Sequence, residues 1–138
     1  MVLRFLLLGN YALRPDAGIV SVKEGIEAAA GSGVNIQWAP GCFSIECPSQ
    51  IGFGDAIKLA TTADVVVVSL GLDQNMESEG HDRETIDLPE NQYQLVGQLR
   101  KASPNATLVG LLIHGGTVAM KNLLTDLDAI VDAWYDHR

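Results

Sequence analysis

Basic residues are scarce in this sequence. Nine lysines and arginines stand against seventeen aspartates and glutamates, a formal net charge of −8, and the few cations never cluster. A nucleic-acid backbone or an anionic membrane is met by a basic stripe or patch, so this balance argues against both as partners. Long hydrophobic runs are missing too. In the opening MVLRFLLLGNYALRP the continuous apolar run extends only from Phe5 to Leu8, too short for a signal-peptide core or a bilayer span. No export or anchoring segment is therefore expected in this chain. Only two cysteines occur, Cys42 and Cys47 in GCFSIEC. Their spacing leaves two readings open, a bridge across a small loop or two buried thiols. GxGxxG and P-loop spacings are absent, and neither Ser69 nor Ser78 lies in a GxSxG context, so nothing marks a phosphate cradle or a nucleophilic serine.

What is present is a globular composition. The 138 residues are 47% hydrophobic and 19% charged, which fits one domain over residues 1–138 with a real core and no repeat, linker or disordered tract. Apolar residues fall at helical spacing at Val22, Ile26, Ala29 and Ala30; at Phe53, Ala56, Ile57 and Ala60; at Leu88, Leu95, Val96 and Leu99; and at Met120, Leu123, Leu124 and Leu127. Between them, the short β-branched or apolar runs VNIQWA (34–39), DVVVVSL (64–70), ATLVGLLI (106–113) and AIVDAWY (129–135) read as strands. Gly31 and Gly33 suit the end of the first helix, and Pro89 suits the first turn of the third. Helices alternating with continuously apolar strands imply crossover connections. The expected class is α/β, doubly wound and flavodoxin-like, with a mostly parallel sheet and helices on both faces.

In such sheets ligands gather outside the carboxyl ends of the strands. Three loops share that edge: PGCFSIEC, HGGT (His114 to Thr117), and the acidic stretch NMESEGHDRETIDLP. The last holds five carboxylates, His81 and Arg83 within residues 75–89. Acidic loops are commonly solvated surface. The chemical reading is that crowding of Glu77, Glu79 and Asp82 raises the pKa of one carboxyl into general-acid range while Arg83 lowers that of another. Metal binding is the weaker reading, because zinc sites favour several histidines or cysteines and only His81 is available in this loop. His114, at a strand end, reads as a packed or hydrogen-bonded histidine, and the HGGT glycines as the means of a tight strand-to-helix turn. Trp38, Trp134 and Tyr135 lie in strand-like runs, where core packing is the default for aromatics. The triplet Asn105-Ala106-Thr107 is a glycosylation sequon of the kind that also arises by chance.

Several stretches together resemble the second domain of glycoside hydrolase family 3: LLLGNY (6–11), VKEGIEAAAG (22–31), VNIQWAPGC (34–42), ADVVVVSLGLDQNMESEGHDRETIDLPENQ (63–92) and AIVDAWY (129–135). The combination GLDQ, ExEGxDR and LPxNQ is most similar to the β-xylosidase-like branch, which lies beside β-glucosidases. The resemblance implies a retaining, exo-acting enzyme in which a TIM-like barrel supplies an aspartate nucleophile. The α/β sandwich domain then supplies the acid/base glutamate on a loop. Carried onto the matching motif, the acid/base is Glu79, with Glu77 as runner-up. Asp82 and Arg83 would hold the loop through a salt bridge, and a Cys42–Cys47 disulfide gains support from secreted relatives.

By the same resemblance the reaction is free of metal and cofactor, the substrate is an oligosaccharide or β-glycoside, and the parent enzyme is extracellular. HGGT departs from the family's Ser-Gly-Gly-Pro. The family's strand before GNY and its Pro-Gly continuation after AWY suggest a domain incomplete at both ends, inactive without its barrel. The alternatives are a non-enzymatic, truncated sugar-binding or interaction module and, more weakly, a flavodoxin-like nucleotide or regulatory domain.

Overall fold

The computed structural model describes residues 20–135. Its elements follow as α1 (Val22–Ala30), α2 (Phe53–Ala60), β1 (Val65–Gly71), α3 (Glu90–Ala102), β2 (Thr107–Ile113) and β3 (Ala129–Asp132). The strands form one parallel sheet in the order β1-β2-β3, running from Val65 opposite Thr107 to Gly71 opposite Ile113, and from Val109 opposite Ala129 to Leu112 opposite Asp132. The α/β class expected from the sequence is the class observed.

Local chemistry accounts for the helices. Ser21 and Glu24 form a capping box, the Ser21 N–H donating to Glu24 Oε2 at 2.8 Å and the Glu24 N–H to Ser21 Oγ at 3.3 Å. Gly31 stops α1 with a φ of 71°. Pro89 stands one residue before α3 rather than inside it. Its ψ of 133° is extended, and its missing N–H costs nothing at either position.

The core lies on one face of the sheet. Val68 and Leu70 of β1 and Leu108 and Leu112 of β2 alternate inward against Leu95, Val96 and Leu99 of α3, with α2 packed on α3. Each such aliphatic side chain removed from water contributes about 1.5–3 kcal/mol. Gly110 leaves room for Leu127, whose Cδ1 would stand 2.6 Å from a Cβ there. In the opposite register of β1, Val65 and Val67 stay exposed.

Three expected elements differ. Residues 34–39 pair with no strand among the described residues, and Val34 and Trp38 are exposed. An apolar run becomes a strand only where a neighbour takes up its N–H and C=O groups, and among the described residues none lies alongside. Residues 120–127 form successive turns instead of a helix. Leu123 and Leu127 are buried while Leu124 is exposed. Within it the Leu123 N–H donates to the Met120 carbonyl at 2.9 Å and the Asp126 N–H to the Leu123 carbonyl at 3.2 Å, while Arg100 Nε donates from outside to the Asp126 carbonyl at 2.9 Å; a tertiary anchor of this kind outweighs an unnucleated helical turn. The run at 129–135 is a strand only through Asp132, because Trp134 turns the chain with a φ of 54°.

Candidate functional site

The three loops expected at the carboxyl edge do meet, and specific side chains stitch them together. Gln92, 2% exposed in α3, is the first link. Its amide donates to the Gly71 carbonyl at 2.9 Å and the Ile45 carbonyl at 2.7 Å, while its Oε1 accepts the Gly71 N–H at 2.9 Å. Asn91 donates to the Cys47 carbonyl at 2.8 Å. The LPENQ stretch thus fastens the end of β1 to the Cys42–Cys47 loop, which a disulfide closes.

Beyond Gly71 the acidic loop is shaped by its own residues. The Asp73 carboxylate accepts the N–H of Asn75 at 3.0 Å and of Met76 at 3.2 Å, and its carbonyl accepts the Glu77 N–H at 2.9 Å. Ser78 and His81 then form an antiparallel bridge, the His81 N–H donating to the Ser78 carbonyl at 2.9 Å. Glu79 and Gly80 are the two central residues of this tight turn. Gly80 has a φ of 77°, the positive value that the third position of a type II turn requires.

Glu77 and Glu79, two residues apart, therefore have opposite surroundings. The Glu77 side chain is 12% exposed. Its Oε1 accepts the Gly115 N–H at 2.6 Å and the Tyr135 hydroxyl at 2.8 Å; its Oε2 accepts the Gly116 N–H at 3.0 Å and lies 3.5 Å from Arg83 Nε. Every partner is a donor. A carboxylate suits such a cage, whereas a protonated carboxyl would turn its hydrogen against another hydrogen. Burial first, then the hydrogen bond to Glu77 and its charge, push the Tyr135 phenol well above its ordinary range. Glu79 is exposed at the turn tip.

Arg83 does not pair with Asp82, as the resemblance had suggested. Its guanidinium reaches Glu77 and also donates to the carbonyls of Thr117 and Thr85, while Asp82 is exposed. Adjacent side chains on an extended segment point to opposite sides, so residue 83 faces the neighbouring loop and residue 82 faces water.

His114 is packed, at 1% exposure, with Nδ1 against the Gly116 carbonyl at 2.6 Å. A carbonyl only accepts, so Nδ1 carries the proton. Nε2 lies 3.0 Å from Asp132 Oδ1 without a hydrogen bond to it. His81 is exposed beside the turn. Among the described residues, no three His, Cys, Asp or Glu side chains converge as a metal site needs.

Sequence reasoning missed Tyr135 and the purpose of the two glycines. No helix follows HGGT, so a strand-to-helix turn is not what they serve. A Cβ on Gly116 would stand 2.6 Å from Glu77 Oε2, and one on Gly115 would stand 2.6 Å from the Tyr135 ring. Both must be bare for the backbone to donate to the carboxylate. An adjacent glycine pair at a strand end was the available signal. Two surface cavities lie elsewhere; one, about 390 Å³, opens by Asp64 and Asn105 at the amino edge of the sheet.

The family described as "Glycosyl hydrolase family 3 C-terminal domain" matches residues 4–137. The chain is 33% identical over 129 residues to a beta-xylosidase of Formosa agariphila, covering 94% of this chain and 17% of that protein. It is 39% identical over 118 residues to a probable exo-1,4-beta-xylosidase of Neosartorya fischeri, covering 86% of this chain and 14% of the relative. In structure it resembles the GH3 beta-glucosidase of Bifidobacterium adolescentis, with a TM-score of 0.78, 29% identity, and coverage of 92% of this chain and 18% of the other. The chain thus spans less than a fifth of the length of each.

Proposed function

The chain belongs to glycoside hydrolase family 3, matching its C-terminal domain, and from that premise we propose that it forms the acid/base half of a retaining, exo-acting β-glycosidase. The substrates are terminal β-linked sugars of β-xyloside or β-glucoside type. Glu79 is the acid/base, and a barrel domain supplies the aspartate nucleophile.

The observation that carries this reading is the contrast between the two glutamates. Glu77 is enclosed by donors from three segments and fixes the loop, while Glu79 sits at the exposed tip of the turn so fixed. A proton donor for a substrate held on another domain must stand at such a tip. In the first step Glu79 protonates the glycosidic oxygen as the anomeric C–O bond breaks and the nucleophile bonds to the anomeric carbon. In the second, the Glu79 carboxylate takes a proton from the water that displaces the nucleophile. The two carboxyl groups of retaining enzymes stand roughly 5–5.5 Å apart, so catalysis requires the barrel partner, and the chain alone is inactive. Positioned acid/base catalysis contributes about 10²–10⁴-fold.

Mixing the chain with a family 3 barrel domain and assaying aryl β-xylosides tests this. Restored hydrolysis that E79Q abolishes for poor leaving groups, but largely spares for activated ones in the glycosylation step, is the expected result. Normal turnover of poor-leaving-group xylosides by the E79Q assembly would overturn the assignment.

A further inference from the structure

Just beyond β3 the backbone enters a conformation that bulky side chains avoid. Trp134 has a φ of 54°, in the left-handed region, and such a residue persists only where its surroundings hold it on both sides. Both sides are held. The Ala133 N–H donates to the Leu112 carbonyl at 2.9 Å, and the Tyr135 hydroxyl is bound to Glu77 at 2.8 Å. Between these anchors the indole rests against the His114 imidazole, centroids 5.2 Å apart and planes inclined at 41°. His114 is in turn fixed by the Gly116 carbonyl and lies 3.0 Å from Asp132. Such bracing would suit a core tryptophan, yet Trp134 remains 51% exposed.

An aromatic ring held in costly backbone geometry, supported from one side and open on another, is poor packing but a good platform. The indole face is electron-rich and attracts C–H groups of slight positive charge. A pyranose whose hydroxyls are equatorial presents such C–H groups on its faces and its hydroxyls at the rim, where they need acceptors. Asp132 offers one. Its Oδ1 faces His114, and Oδ2 takes no hydrogen bond from the described residues. Both residues lie at the carboxyl end of β3, at the same sheet edge as the acidic loop, and Tyr135 ties this end directly to Glu77.

We propose that Trp134 and Asp132 form a pyranose-binding contact, the indole as stacking platform and the carboxylate as hydroxyl acceptor. The choice of sugar rests on the glycosidase reading: a neutral β-xylopyranosyl or β-glucopyranosyl ring.

The test uses the chain itself, titrated with methyl β-D-xylopyranoside and with xylobiose while NMR follows the indole N–H signals of both tryptophans. A saturable displacement of the Trp134 signal is expected, absent with glycerol at matched concentration and preserved in E79Q. Asp132→Asn weakens the affinity roughly fivefold, the loss of one good hydrogen bond. Trp134→Phe, which keeps a smaller ring, retains weakened binding followed through backbone amides of residues 132–135, whereas Trp134→Ala abolishes it. A Trp134 signal that ignores both sugars, or that glycerol moves equally, overturns the proposal. Binding is read without turnover, so a silent Trp134 leaves the Glu79 assignment standing, and failure of the E79Q assay leaves this measurement unaffected.

Discussion

Replacing Glu77 by alanine removes the acceptor at the centre of the loop cluster, and its cost follows from the geometry. Four donors lose their partner at once: the N–H groups of Gly115 and Gly116, the Tyr135 hydroxyl, and the Arg83 guanidinium. Hydrogen bonds to a charged group contribute about 1.5–3 kcal/mol each, and a buried donor left unpaired costs about 1–3 kcal/mol. The full sum overstates the loss, since Gly115 is exposed and Arg83 keeps its carbonyl partners, so water re-solvates part of the cluster. Breaking a largely buried ion pair on one side costs about 3–5 kcal/mol, and the lower half of that range, about 3–4 kcal/mol, is expected here. For a chain of this size that lowers Tm by roughly 10–15 °C. Urea unfolding of the 138-residue chain should show the midpoint falling at an unchanged m-value, with the Gly115 and Gly116 amide signals moving upfield as their hydrogen bonds are lost. Glu79→Ala, at an exposed turn tip, should cost less than about 1 kcal/mol and leave those amides in place. Equal stabilities for the two variants, or Gly115 and Gly116 amides indifferent to Glu77, would refute the division of roles between the two glutamates.

At the other edge of the sheet, the Leu108 N–H and then Arg100 hold the Asp128 carboxyl below its usual range. A depressed folded-state pKa contributes stability that is present above the unfolded value of 3.8 and lost as pH falls through the folded one. The difference between wild type and Asp128→Asn in urea midpoint should therefore be full at neutral pH and shrink on acidification below about pH 4; a pH-independent difference would contradict the linkage. Reducing the Cys42–Cys47 bridge, or replacing both cysteines by alanine, frees a loop of sequence separation 5 and should cost roughly 2 kcal/mol by loop entropy. Asn91 and Gln92 still hold the loop carbonyls, so the fold should survive, as circular dichroism would report; a collapse of the fold on reduction would show that these two amides do not suffice.

Much of the fold was legible because its signals are local. The run DVVVVSL matches β1 and ATLVGLLI matches β2 to within a residue or so, and the apolar spacing at Phe53, Ala56, Ile57 and Ala60 spans the whole of α2. VNIQWA is as strand-like in sequence as either, yet no neighbour pairs with it among the described residues. The spacing at Met120, Leu123, Leu124 and Leu127 is helical, yet the segment is spent on turns that bring Leu123 and Leu127 to the core and the Asp126 carbonyl to Arg100. Pattern reports which residues want burial; it does not report what will be present to bury them.

The sequence by itself determined the α/β class and the sheet edge at which the loops collect, because alternation of apolar runs and loop composition are properties of neighbouring residues. Only the tertiary structure decided which carboxylate is an anchor and which is presented. Three of the four partners of Glu77 lie 38, 39 and 58 positions away in the chain, and its cage is complete only once β1, β2 and β3 are aligned. Two glutamates separated by one serine are chemically identical as letters. Folding distinguishes them by enclosing one among donors from distant segments and leaving the other exposed at a turn.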